Sequence, residues 1–87
     1  MQNEYIIAFS SFYKAAYAQE LLEAEGIRSN LRKLPIDIAK SCSTGLAYKG
    51  NAIQRVKEIF SSKGIQTRGI YKVDRENKEK IQYILIR

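Results

Sequence analysis

The sequence predicts a single α+β domain, residues 1–87, in which two β-α-β units follow one another and a fifth strand ends the chain. This length suits one modest hydrophobic core. Apolar β-branched and aromatic runs alternate with two helical segments, and each helical segment ends at a Gly-Ile pair. The two pairs, Gly26-Ile27 and Gly64-Ile65, are 38 residues apart, which indicates two equivalent halves. Such halves form a ferredoxin-like βαββαβ sandwich, an antiparallel sheet with both helices on one face.

The first half begins with a strand, Tyr5–Phe9, whose β-branched and aromatic residues suit a partly covered sheet. Ser10 and Ser11 are candidate N-caps for a helix over residues 12–25. The inward stripe of this helix has a spacing of three and four residues and consists of Ala15, Ala18 and Leu22.

Gly26 is expected to end this helix by adopting the left-handed backbone conformation. A second strand follows over Ile27–Leu34, and Pro35 stops it. We expect residues 35–45 to form an irregular loop and Leu46–Lys49 to form a short third strand.

The second half is predicted to contain a helix over residues 50–63, with Asn51 as its N-cap and Gln54 completing a capping box. Its inward stripe consists of Ile53, Val56 and Phe60. The rest of the chain is predicted to form a fourth strand, a charged turn and a fifth strand, over Ile65–Val73, 74–80 and Ile81–Ile86.

The fifth strand is apolar on both faces, because Ile81, Tyr83 and Leu85 alternate with Ile84 and Ile86. An edge strand of this kind promotes association unless something covers it. We therefore expect a homodimer that forms through the open sheet face or its edge. The alternative is a monomer in which tyrosine hydroxyls keep the open face polar.

The composition excludes several classes of site. The chain has one cysteine and no histidine, so neither a Cys/His zinc site, a Ser-His or Cys-His nucleophile pair nor an internal disulfide can form. We expect no cofactor, no metal and no independent enzymatic activity. The chain also lacks a run of about 18 apolar residues and the basic start of a signal peptide, which favours the cytoplasm.

The net charge of +6 suggests an anionic partner. The stretch from Gly26 to Lys57 contains seven basic residues and a single acid, Asp37. We predict that four of the basic residues form a patch that docks an acidic protein: Arg28, Arg32, Lys33 and Lys49.

Cys42 is the candidate chemical group in this basic stretch. A cysteine is reactive when cations or hydrogen-bond donors favour its thiolate. The predicted thiolate-stabilising neighbours are one cation, three hydroxyl residues and a flexible glycine: Lys40, Ser41, Ser43, Thr44 and Gly45. The alternative is that Cys42 is a small buried apolar residue without chemistry.

Residues 5–73 resemble the Putative Se/S (selenium/sulfur) carrier protein-like family, a small bacterial domain of unknown biochemical function. The resemblance rests on Ser10 before an Ala-rich helix, on Glu25-Gly26-Ile27, on Pro35 leading to Ser41-Cys42, and on the following Gly64-Ile65 junction. It implies a sulfur or selenium carrier that holds a persulfide-type adduct on Cys42. Ser43 and Gly45 replace the family's usual glycine and occasional second cysteine, so only single-cysteine chemistry remains. Residues 74–87, the C-terminal hairpin extension, lie beyond the resemblance.

Two other functions stay open. RNA-recognition domains share this topology and stack bases on aromatic residues of the first and third strands, where Tyr5 and Tyr48 lie. The third strand lacks the glycine-flanked aromatic pair of that motif, and such tyrosines commonly pack within sheets. The chain could also be a dimeric ligand-binding or regulatory module in which Cys42 is incidental.

Overall fold

One antiparallel sheet and two helices make up the computed structural model, which describes residues 3–35, 38, 44–76 and 81–86. The elements follow the predicted α+β order: β1 (Asn3–Ala8), α1 (Phe12–Ala24), β2 (Asn30–Lys33), β3 (Thr44–Gly50), α2 (Ile53–Ser62), β4 (Gly69–Asp74) and β5 (Gln82–Ile86). Neither of the two helices is long and apolar enough to cross a bilayer.

The strands lie in the order β2-β3-β1-β4-β5, and every neighbouring pair is antiparallel. In β1, Ile7 is paired with Leu46 of β3 on one side and with Ile70 of β4 on the other. The first four strands have the arrangement of a split β-α-β domain, and β5 adds a strand at the edge beside β4. The ferredoxin-like fold with an extra C-terminal strand is therefore confirmed.

The main core lies between the sheet and the helices. Side chains alternate along β1, so Tyr5 and Ile7, with Phe9 just beyond the strand, belong to this core. Both predicted helical stripes are buried in it, and α2 also buries Ile59. The fully buried residues with the largest side chains are Phe9, Ile7, Leu22, Leu46 and Val56.

A second, smaller cluster covers part of the opposite face of the sheet, which we call the open face. Ile6 and Ala8 of β1 are only 6% and 3% exposed although no helix lies over them. Leu34 is buried with them, and Ile38 packs against the same cluster. Leu34 and Ile38 therefore lie over the open face, which explains why apolar residues on both faces of β1 are protected from water.

Both helices end in the same way, at the two Gly-Ile pairs. Gly26 and Gly64 have φ angles of +77° and +69°, a region that glycine adopts at low cost. The N–H of Ile27 donates to the carbonyl of Leu22, and the N–H of Ile65 donates to that of Phe60, both at 2.9 Å. These are the long-range bonds of a Schellman motif, so the two Gly-Ile pairs are equivalent stop signals.

The helices begin differently, and here one prediction is wrong. The hydroxyl of Ser11 accepts the N–H of Lys14 at 3.2 Å, as expected of a cap. At α2 the N-cap residue is Ala52 rather than Asn51, and no side-chain cap of the usual kind forms. Instead the N–H of Ala52 donates to the hydroxyl of Tyr48 at 2.9 Å. The phenol of Tyr48, near the end of β3, thus accepts a hydrogen bond from a backbone N–H at the start of α2. A capping pattern that considers only the residues of the helix start does not include such a contact.

Strand boundaries also differ from the predictions. The second strand begins at Asn30 instead of Ile27, and the fourth begins at Gly69 instead of Ile65, because the residues after each Schellman motif lead the chain from the helix layer back to the sheet. The third strand is longer than predicted and starts at Thr44.

We expect Tyr48→Phe to lower the free energy of unfolding by about 1 kcal/mol, because it removes the acceptor of the Ala52 N–H without changing the packed ring. Urea denaturation followed by circular dichroism measures the loss. Tyr5→Phe is the matched control, because the two rings stack at 6.1 Å but the Tyr5 hydroxyl bonds to no described residue. Equal losses in the two variants would contradict the capping role of Tyr48.

Candidate functional site

Cys42 lies outside the described residues, together with Lys40, Ser41 and Ser43. The predictions about these four side chains therefore remain predictions. The four residues lie within residues 39–43, which we call the cysteine segment. The described residues that border it are Leu34, Pro35 and Ile38 on one side and Thr44 on the other. Lys33 and Thr44 are paired at the base of this segment, where β2 and β3 meet.

Thr44 and Gly45 belong to β3, so the predicted loop ends before Thr44 rather than at Gly45. Gly45 does not have the left-handed backbone expected of a turning glycine. It is instead needed for space, because a Cβ atom at this position would lie 2.6 Å from the carbonyl oxygen of Ile7 and would also collide with the side chain of Leu34. Gly45 therefore leaves the space in which Leu34 lies against the sheet.

One end of the sheet brings Thr44 close to the start of α1. Ala8, the last residue of β1, is paired with Gly45 of β3 and with Gly69 of β4. The chain then passes through Phe9 and Ser10 into α1, whose first turn contains no acid. The N-terminus of a helix carries partial positive charge and favours anions. We call this region the α1 end of the sheet; only the topology reveals it, since α1 and Thr44 are far apart in sequence.

The surface of the α1 end combines aromatic rings with cations. Phe12 and Tyr13 are 54% and 83% exposed, and their rings contact edge to face with centroids 6.0 Å apart. Three exposed basic residues belong to the same region: Lys14 in the first turn of α1, Lys33 opposite Thr44, and Arg68, whose N–H donates to the Ala8 carbonyl at 2.7 Å.

The predicted docking patch is divided by the fold. Arg28, Arg32 and Lys49 line a cleft of about 600 Å³ on the open face, which we call the open-face cleft. Lys33 is not among its lining residues. Lys49 is five residues along β3 from Thr44, or roughly 17 Å at the usual rise of an extended strand. Lys49 is therefore far from Thr44, whereas Arg32, which is paired with Gly45, and Pro35 bring part of the cleft lining close to the described residues that border the cysteine segment.

Glu4 and Arg75 also line the open-face cleft, and sequence reasoning missed both. The guanidinium of Arg75 donates to the Glu4 carboxylate, with Nη2 3.0 Å from Oε2 and Nε 3.2 Å from Oε1. These hydrogen bonds, with the attraction between the opposite charges, raise the pKa of Arg75, which stays protonated. The two residues are 71 positions apart, so no local pattern signals the pair.

Tyr5 and Tyr48 do not form the base-stacking platform considered for RNA. Both are 6% exposed and lie in the main core, where their rings stack against each other on the helix side of the sheet. RNA recognition through these two tyrosines is therefore wrong. The sequence does not say which face of the sheet each strand residue occupies, and in the structure both tyrosines face the helices. Within the described ranges, no cluster of three or more Cys, Asp or Glu residues could hold a metal ion.

We expect Gly45→Ala to lower the free energy of unfolding by roughly 1–3 kcal/mol, because the added methyl group collides with the Ile7 carbonyl and with Leu34. Urea denaturation measures the change. Thr44→Ala, one residue earlier on β3, removes atoms rather than adding them and is expected to cost less. A Gly45→Ala variant as stable as the parent chain would contradict the steric role of Gly45.

Comparison with known proteins identifies a family. No curated protein and no solved structure matches this chain. A family described as "Putative Se/S carrier protein-like" matches residues 4–72, a region that spans β1 to β4 and contains Cys42 but excludes β5. The match covers well over half of the sequence, and the chain belongs to this family.

Proposed function

We propose that this protein is a sulfur or selenium carrier that holds the transferred atom on Cys42. The observation that carries the proposal is the family match over residues 4–72, which includes the only cysteine of the chain. A single thiol without a second one nearby keeps its adduct until another molecule accepts it. A carrier of reduced sulfur or selenium also needs a reducing compartment, so we place the protein in the cytoplasm.

The proposed transfer is an exchange at sulfur. The Cys42 thiolate attacks the outer sulfur of a persulfide on a donor enzyme. A new S–S bond forms on Cys42, the donor's S–S bond breaks, and the donor cysteine leaves as a thiolate. The outer sulfur keeps its oxidation level, so no further oxidant or reductant is required. A selenium atom bound to the donor cysteine would move by the same exchange.

The α1 end of the sheet supports this chemistry. Cys42 precedes Thr44 by two residues, and Thr44 pairs with Lys33 near the start of α1. A cation and a helix N-terminus without acids in its first turn both favour a thiolate over a thiol. In the proposal, Lys40 and the hydroxyls of Ser41, Ser43 and Thr44 add to this effect.

The same region suits an acidic partner enzyme. Exposed aromatic residues are enriched in the centres of protein interfaces, and Phe12 and Tyr13 provide two of them. The surrounding cations, Lys14, Lys33 and Arg68, would steer an acidic surface towards them. Of the predicted docking patch, Lys33 therefore serves the transfer directly, while the other three residues lie at the open-face cleft.

Incubation with a cysteine desulfurase and cysteine is expected to add one sulfur atom to Cys42, because the thiolate accepts the desulfurase persulfide. Intact mass spectrometry measures the adduct, and alkylation followed by peptide mapping locates it. The control is Cys42→Ser, which should gain no mass. A desulfurase that loads a known carrier in parallel but leaves Cys42 unmodified would overturn the proposal.

We also propose that the protein forms a homodimer through β5. This strand lies at the sheet edge, and Ile84 and Leu85 are 46% and 50% exposed on its opposite faces. Antiparallel pairing with β5 of a second chain would satisfy the free backbone edge and cover both side chains.

Light scattering after size exclusion is expected to give the mass of a dimer for the parent chain and of a monomer for Ile84→Lys, because a charge opposes pairing at the edge. Lys72→Gln, an exposed change on β4 behind this edge, is the control and should remain a dimer. A monomeric parent chain at concentrations well above those in a cell would contradict the dimer.

A further inference from the structure

The open-face cleft has a charged side and an apolar side. Its charged side is formed by Arg28 and Arg32, from the region of β2, and by Lys49 of β3. On the far side, across β1 and β4, the lining includes Val73 and the β5 residue Tyr83, with Ile81 just before that strand. From β3 to β5 there are three strand spacings, or roughly 14 Å.

The cations of the charged side have no acid partner among the described residues. Arg28, Arg32 and Lys49 are all exposed and form no described ion pair. Glu4 is the only described acid in the lining, and its carboxylate is bound by Arg75. Glu4 is the cross-strand neighbour of Lys49, but its charge is neutralised by Arg75, so the net positive charge of the lining comes from the β2 and β3 side.

The floor between the two sides is low and apolar. Ala47 lies at the centre of β3 and Ile6 beside it on β1, and these two residues are paired across the strands. Because Ala47 is small and Ile6 is buried, the lining leaves a depression between the basic residues of the β2 and β3 side and Tyr83. The volume of about 600 Å³ falls in the range of sites for small molecules rather than of flat protein interfaces.

We infer that the open-face cleft binds a nucleoside phosphate, with the phosphates at Arg28, Arg32 and Lys49 and the base against Tyr83 and Ile81. Guanidinium groups bind phosphate oxygens through paired hydrogen bonds. A tyrosine ring offers a flat apolar surface for stacking. The length from β3 to β5 suits a ligand with an anion at one end and an aromatic ring at the other.

This site does not require the proposed carrier chemistry. Its lining reaches Pro35, shortly before the cysteine segment, and Arg32, which is paired with Gly45, but no residue of the lining has a part in the proposed sulfur transfer. Nucleotide binding should therefore be the same for the parent chain and for Cys42→Ser. Failure of the carrier proposal would leave this inference standing, and the reverse also holds.

Isothermal titration with ATP, tripolyphosphate and inorganic phosphate tests the inference. We expect ATP to bind most tightly, because it has both the phosphates and the base, and inorganic phosphate to bind at least tenfold more weakly. Affinity should fall with added salt, since exposed charges are screened. Equal affinity for ATP and for tripolyphosphate would overturn the role of Tyr83 and Ile81, and absence of ATP binding at low salt would overturn the inference as a whole.

Charge variants test the location. Arg32→Gln and Arg28→Gln are each expected to weaken ATP binding roughly tenfold, the usual effect of losing a charge-assisted hydrogen bond. Glu4→Gln is expected to tighten binding severalfold, because it removes the acid of the cleft and releases Arg75. Lys63→Gln is the control: it removes the same charge at the end of α2 and should leave affinity unchanged.

The opposite signs make the result specific. Damage to the fold would weaken binding in all variants, whereas a charged site predicts weaker binding for Arg32→Gln and tighter binding for Glu4→Gln. A Lys63→Gln variant that weakens binding as much as Arg32→Gln would show that ATP responds only to net charge and would overturn the proposed location.

Discussion

Strand β1 lies in the middle of the sheet, hydrogen-bonded to β3 along one edge and to β4 along the other. Its side chains are buried on both faces, under the helices at Ile7 and under the returning chain at Ile6. The apolar side chains of β1 stay out of water only because other residues pack over both faces of the sheet at this strand. One cover is the helix layer, and the other is Leu34 with Ile38, and Gly45 leaves the space that Leu34 occupies. The described residues shortly before the cysteine segment are thus part of the packing of the central strand.

The sequence predicts the layout of the fold because its signals are local. The Gly-Ile pairs that end the helices, the Ser11 cap and the three-and-four spacing of Ala15, Ala18 and Leu22 each act within one or two turns. The Tyr48 hydroxyl that replaces the expected Asn51 cap could not be predicted, because it depends on where β3 ends relative to α2. The strands that follow the helices, β2 and β4, begin later than predicted for a related reason. The number of residues needed to return from the helix layer to the sheet depends on the distance between the two layers.

The same contrast between local signals and contacts of distant elements applies to the candidate sites. A solitary cysteine among cations is visible in the sequence, whereas the closeness of the described start of β3 to the start of α1 follows from the pairing of Ala8 with Gly45. The basic residues were grouped by their closeness in sequence, but the sheet separates Lys33 from Lys49 by the length of a strand. Arg55, from the same stretch, instead pairs with Glu25 between the two helices. The net charge follows from the composition, but which basic residues share one surface depends on the order of the strands in the sheet.

The strand that lies outside the family match has a wider consequence. The matched region ends at residue 72, within β4, and β5 lies beyond it along the outer edge of β4. In this protein β5 covers that edge and also supplies one wall of the open-face cleft through Tyr83. Cys42 therefore lies inside the matched region, whereas the cleft wall formed by Tyr83 lies outside it. A change confined to the last strand would alter that wall and leave the matched region, with its cysteine, unchanged.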